Sequence, residues 1–217
     1  YLTIVKNKPA CIVTFLDGKD KKNLNNKNCY DLGKNIGRLH KVSNNIKLYR
    51  KNSMSINNLD KLLKSIKFKS KNIVPNLKSI LKMNLKEIKK KWPRNLPEGI
   101  IHGDLFIDNI FFKKNKFAGF IDFYFSCNDY SMYEIAICIN ALCFDKKKNK
   151  FFLNNEKVKN LIKGYEKVRK ISQREKNALN LLCRAAALRY LLTRVYDYFN
   201  TPKTAFIKIK DPNEYFQ

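Results

Sequence analysis

The sequence predicts an α+β fold, mostly helical, and three features carry that prediction. Short apolar, aromatic-rich runs separated by turn residues occupy positions 1–15 and 110–121. Such runs read as strands paired in hairpins. Positions 131–144 are apolar on all sides, as in a helix placed mid-core. Positions 173–199 repeat apolar residues at helical spacing behind a capping pattern, Ser172 with Glu175 three residues on.

Taken in order, Tyr1 to Lys6 and Ala10 to Phe15 read as two strands joined at Asn7-Lys8-Pro9, and Phe15 to Gly18 ends that sheet. Asp17 to Asn28 is a polar surface loop, and Asn28 can cap a helix from Cys29 to Lys41 or Val42. Leu32, Ile36 and Leu39 share one face of it, and Gly33 and Gly37 would let another element come close. His40 reads as a packed or capping histidine. Leu59 to Ile66 and Val74 to Ile88 read as helices, with Pro75 in the opening turn of the second and Trp92-Pro93 ending the pair. After the apolar helix, Lys146 to Lys150 reads as a solvated connection, and Asn155 or Glu156 opens a helix to Val168 in which Gly164 is a tolerated interruption.

The 217 residues suffice for one sizeable core, or one lobe and part of another. A hydrophobic content of 44% makes the chain globular in spite of a net charge of +27. Lysine is scattered beside abundant Asn and Ile, so most of it reads as solvated face and no specific nucleic-acid partner is expected. No apolar run approaches the roughly 20 residues that cross a bilayer, and no membrane partner is expected. Six cysteines without a Cys-x-x-Cys pair read as reduced thiols of a cytoplasmic protein.

Chemistry concentrates between Gly99 and Phe125. A short apolar lead-in gives way to His102-Gly103-Asp104, then Asp108-Asn109, then a hairpin of Ile110 to Lys113 and Lys116 to Ile121 about Lys114-Asn115. A hairpin sets its two ends side by side, so Asn109 and Asp122 lie together and Asp104 can fold back over them. Two hard oxygen ligands, Asn109 and Asp122, suit Mg2+ that takes its other ligands from water and phosphate. The free carboxylate of Asp104 would then orient or accept the proton of an attacking hydroxyl, as phosphoryl transfer requires. His102 more naturally braces the loop. Tyr133 and Glu134 could face the substrate.

These residues resemble the catalytic loop and metal aspartate of the aminoglycoside phosphotransferase and choline kinase superfamily. The stretches HGDLFIDNIFF, GFIDFYFSCND and MYEIAICINALCF, with AAALRYLLTRVYDYFNTP and KDPNEY further on, resemble its homoserine kinase family in particular. The likeness covers nearly the whole chain. It implies a protein-kinase-like fold of aminoglycoside phosphotransferase type, with the end of the small lobe and the hinge at 1–18 and the helical C-terminal lobe at 19–217. It implies ATP and Mg2+ as cofactors and L-homoserine as acceptor in threonine biosynthesis. Thr14, Phe15 and Leu16 become hinge candidates that meet adenine; the other reading is an ordinary buried strand with a turn. The family's phosphate-covering loop and phosphate-binding lysine have no counterpart here, so a fragment of a longer enzyme is expected.

Tyr124, a candidate substrate contact, stands where protein kinases carry Gly, which weakens any analogy to their switching. Homoserine carries a carboxylate, an ammonium and a hydroxyl. Arg194 or Arg189 would hold its carboxylate, and Asp197 or Asp129 would neighbour its ammonium. Internal ion pairs such as Arg194 with Asp197, and a capping role for Asp129, are the competing readings. The competing functions are another small-alcohol kinase, acting on choline, ethanolamine, methylthioribose or an aminoglycoside, and a basic binding module without catalysis.

Overall fold

A computed structural model describes residues 2–68, 74–148, 150–202, 204–206 and 209–215. Tyr1 and Asn149, which belong to the expected first strand and Lys-rich connection, lie outside the described residues.

The chain opens with the antiparallel pair β1 (Leu2–Val5) and β2 (Lys8–Cys11), Leu2 opposite Cys11. The turn is Lys6-Asn7, both at positive φ (48° and 61°), the backbone that two-residue hairpin turns demand. The second strand therefore begins two residues earlier than the sequence predicts and ends at Cys11, ahead of Ile12 to Phe15. Helix α1 (Asn26–Ser43) is capped by Asn25, not Asn28. Asn25 accepts the Asn28 amide at 2.9 Å, and the Asn28 side chain accepts the Asn25 amide at 3.4 Å, a reciprocal box in which Asn28 is the inner partner.

Helices α2 (Leu59–Ser65) and α3 (Leu77–Lys90) follow. The second starts after Asn76, whose left-handed backbone (φ 56°) turns the chain, so Pro75 lies ahead of the helix. β3 (Glu98–Ile101) leads into the central loop, and β4 (Ile110–Lys113) pairs with β5 (Lys116–Phe120) across Lys114-Asn115, again both at positive φ (47° and 63°). β6 (Cys127–Tyr130) returns antiparallel to β3, which sets Ile101 opposite Cys127.

α4 (Ser131–Leu142) is buried along nearly its whole length. Beyond it the expected solvated connection is a third hairpin, β7 (Phe144–Lys147) with β8 (Lys150–Leu153), in which Phe144 lies opposite Leu153 and Lys146 opposite Phe151. α5 (Asn155–Glu166) is capped by Asn154, and α6 (Gln173–Asn200) by Ser172 with Glu175 in the anticipated box.

Two helix pairs make the core. α4 packs on α6, which also carries α2 and α3. α1 crosses α5 at two glycines: a Cβ on Gly33 would lie 1.9 Å from the Leu161 carbonyl oxygen, and one on Gly164 would lie 2.0 Å from that of Tyr30. Gly164 is thus required by the crossing and not merely tolerated. His40 is buried with Nδ1 2.8 Å from the Tyr165 hydroxyl, and the six cysteines are free. Among the described residues no helix is long and apolar enough to cross a membrane.

Candidate active site

The loop between β3 and β4 is held from beneath by one carboxylate. Glu134, in the first turn of α4 and fully buried, accepts the His102 amide, and both its oxygens lie 3.2 Å from the Gly103 amide. Loop amides with no strand partner need such an acceptor. Burial pushes the Glu134 carboxyl up to about 7, against the two amides and the Arg189 charge. Glu134 therefore supports the loop from the core and does not face substrate. Gly103 sits at φ +78°, and a Cβ there would meet the Phe125 carbonyl oxygen at 2.9 Å, so no other residue fits without strain.

His102 has no solvent exposure. Its Nε2 is 2.8 Å from the Ile121 carbonyl, and the Asp104 amide donates to Nδ1 at 3.3 Å. Those partners assign the proton to Nε2. Burial lowers the His102 pKa, outweighing the Ile121 carbonyl and the Asp104 and Asp122 charges that raise it. The neutral ring, with Phe123 4.6 Å away, spans from the loop to the end of β5.

Three oxygen-bearing residues are tied to this frame. The Asn109 side-chain amide donates to the Asp104 carbonyl at 2.8 Å, which leaves its own oxygen as its remaining donor atom for a ligand. The Ile121 amide donates to the Asn109 carbonyl at 3.1 Å, so the ends of the hairpin meet and Asp122 comes next to Asn109. Asp122 adopts a left-handed backbone (φ 59°, ψ 63°) with an exposed carboxylate that accepts the Tyr124 amide at 3.3 Å. Among the described residues no three His, Cys, Asp or Glu side chains are grouped as a metal site. One carboxylate and one amide oxygen fit a hard cation that keeps water and phosphate as its other ligands.

Beside Asp104 opens a cleft of about 290 Å³, walled by Arg189, Arg194, Asp197, Met54 and Lys210. Burial raises the Asp104 pKa, while the charges of Arg189 and Lys210 pull it down. The Tyr190 hydroxyl lies 3.5 Å from Asp104 Oδ1. Arg189 is 3% exposed, with its guanidinium over the rings of Tyr190 and Phe125. Arg194 also lines the cleft, but its Nη1 donates to Glu214 and to the Asp211 carbonyl at 2.8 Å. Its carboxylate partner is thus Glu214, not Asp197.

Tyr124 and Asp129, expected to face substrate, lie outside this cleft. Tyr124 is 71% exposed beneath the Arg50 guanidinium, 5.7 Å from the ring. Asp129 accepts the Asn52 side-chain amide and the Tyr130 amide, at 2.5 and 2.7 Å, within β6. It does not cap α4, whose N-cap position is Tyr130 and has no side-chain cap bond.

Thr14 and Phe15 are exposed, Phe15 at 85%, so the buried-strand reading of this segment does not hold. Leu16 packs on Gly119 of β5, where a Cβ would come within 2.9 Å of its Cδ2. Lys19 and Phe112 exchange backbone bonds at 3.1 and 2.9 Å. The segment 16–19 therefore lies along the hairpin whose ends carry Asn109 and Asp122.

Two contributors were not among the residues expected at the site, although Lys210 opens the KDPNEY stretch. Arg50 donates from Nη1 to the Tyr124 carbonyl at 2.5 Å, and its backbone exchanges two 2.8 Å bonds with Asn128. Lys210 reaches the cleft from beyond α6.

The chain matches the phosphotransferase enzyme family over residues 4–169, and it belongs to that family. Within the family it is similar to the homoserine kinase of Rhodospirillum rubrum, 41% identical over 210 residues, which are 97% of this chain and 64% of that one. The homoserine kinase of Parvibaculum lavamentivorans is also 41% identical, over 208 residues, 96% of this chain and 64% of the relative. The chain thus spans just under two thirds of these relatives' length. An ethanolamine kinase of Plasmodium vivax shares the fold, with a TM-score of 0.67 at 18% identity over 93% of this chain and 63% of that chain.

Proposed function

We propose that the intact protein transfers the γ-phosphoryl group of ATP to the side-chain hydroxyl of L-homoserine. The observation that supports this is the chain of hydrogen bonds that links Asp104 to Asn109 and Asn109 to the residue before Asp122, with Asp104 lining a cleft of basic and acidic walls. Asp104 is the group that orients the acceptor hydroxyl and takes its proton as that oxygen bonds to phosphorus and the bond to ADP breaks. Burial, which raises its pKa, suits a base for an alcohol. Asn109 and Asp122 are the residues that would hold Mg2+; when bound, that ion neutralises charge on the phosphate oxygens. His102, neutral and doubly bonded, fixes the loop between them.

In this reading residues 1–18 end a small lobe, with Thr14, Phe15 and Leu16 at the hinge beside the adenine, and residues 19–217 form the helical lobe. Arg189 and Arg194 on one wall and Asp197 on the same helix complement an acceptor that carries both an anion and an ammonium. Choline or a polycationic aminoglycoside would find this wall repulsive. The kinship with homoserine kinases at 41% identity supports the same acceptor.

The test is an acceptor panel with the intact protein, ATP and Mg2+. Homoserine should give the highest kcat/KM among homoserine, choline, ethanolamine, methylthioribose and an aminoglycoside. A preference for choline or ethanolamine would overturn the assignment.

A further inference from the structure

Three cations line the cleft beside Asp104, and they differ in what they have left to offer. The Arg194 guanidinium is 10% exposed and committed to Glu214 and the Asp211 carbonyl. Arg189 is 3% exposed and lies 4.9 Å over Tyr190, with its charge facing Asp104, Asp129 and Glu134. Its Nε has no hydrogen-bond partner among the described residues. It sets a positive potential behind Asp104 but presents almost no surface to a ligand.

Lys210 is different. Its side chain is 58% exposed, and its Nζ stands 5.0 Å over the Phe106 ring. Its one ion-pair partner among the described residues is Asp108, at 3.7 Å and itself 59% exposed. A pair so long and so wet contributes little, so the ammonium can be handed to a better anion at small cost. Asp108 directly precedes Asn109, which places Lys210 over the loop at the mouth of the cleft. Its charge reaches Asp104 and lowers that carboxyl's pKa.

We propose that Lys210 makes the direct contact with the acceptor's carboxylate, leaving Asp108 to do so, while Arg189 supports the same charge from behind. This rests on the reading of the protein as a kinase of a hydroxy amino acid. Lys210 is then a specificity residue: it distinguishes an acceptor with a carboxylate from one without. The contact is a charge-assisted bond in a half-exposed site, and its loss should cost about 10- to 100-fold in kcat/KM.

The experiment compares L-homoserine with 3-amino-1-propanol, which keeps the hydroxyl and the ammonium and lacks only the carboxylate. Both are assayed with the intact protein and with its Lys210→Met and Lys210→Arg forms. The expected result is that Lys210→Met loses about 10- to 100-fold more on homoserine than on aminopropanol, so that the ratio of the two substrates falls by that factor, whereas Lys210→Arg keeps most of the preference. An unchanged ratio of the two substrates in Lys210→Met overturns the assignment, even if both rates fall, because a structural effect would lower them together. Failure of the unaltered protein to use homoserine sinks the kinase reading and this inference with it. Homoserine turnover with an unchanged ratio sinks the role of Lys210 alone.

Discussion

The side-chain amide of Asn109 donates to the backbone carbonyl of Asp104 at 2.8 Å, so the residue proposed as a metal ligand and the residue proposed as the base are fixed to each other. The Ile121 amide bound to the Asn109 carbonyl extends the same link to Asp122. One rigid unit therefore spans the three positions. Changes in residues that tension this unit should be felt as changes in ion binding or turnover and not as loss of fold.

Arg50 offers the first such case. Its guanidinium donates to the Tyr124 carbonyl, two residues past Asp122, and it is exposed on the surface. Arg50→Ala should raise the Mg2+ concentration needed for half-maximal activity by about 10-fold, since one charge-assisted bond no longer steadies the loop. The KM for homoserine should hold. A magnesium titration that superimposes on that of the unaltered protein would remove Arg50 from this role.

The crossing of α1 and α5 makes a stability prediction. Gly33→Ala would drive a methyl to within 1.9 Å of the Leu161 carbonyl oxygen, which forces backbone apart. Gly37→Ala would meet the Val168 Cβ at 3.0 Å and the Tyr165 carbonyl oxygen at 3.2 Å, a much smaller overlap. Urea unfolding should show a loss of about 3 kcal/mol or more at Gly33 and distinctly less at Gly37. Equal losses at the two sites would mean that the helices are not so close.

Two buried groups should give opposite pH slopes. The Glu134 carboxyl rises from 4.5 to about 7 through burial, so its contribution to stability is complete below 4.5 and fades as pH climbs through 7. The His40 imidazole falls from 6.5 to about 3, through burial and then the Arg169 charge, so its contribution is complete above 6.5 and fades as pH drops toward 3. Urea midpoints across pH should therefore lose their fall toward neutrality in Glu134→Gln and their acid-side decline in His40→Gln. A wild-type acid slope in His40→Gln would exclude His40 as its source.

The central loop and hairpin were legible because their geometry is local. From His102 to Asp122 the spacing alone brings the ends of a two-stranded ribbon together, and Lys114-Asn115 takes the positive φ that its turn needs. α4 was legible because it is apolar on every side. The β7–β8 hairpin was not, since the lysine-rich positions 146–150 in its middle imitate a charged connection. The strap carrying Arg50 and Asn52 has no periodicity, and its shape is set by bonds to residues 124–129, more than 70 positions away. Tyr124 and Asp129 lie outside the cleft for a related reason. Proximity to Asp122 in sequence does not determine which way a side chain turns when Arg50 and Asn52 compete for it.

The most direct measurement is the turnover of Asp104→Asn in the intact protein with saturating ATP, Mg2+ and homoserine, read as phosphomonoester by phosphorus NMR. The account predicts a fall in kcat of about 10²- to 10⁴-fold with the KM for ATP nearly unmoved, because Asn keeps the shape and the link to Asn109 but cannot take a proton. An Asp104→Asn form that makes phosphohomoserine at the unaltered rate would contradict it.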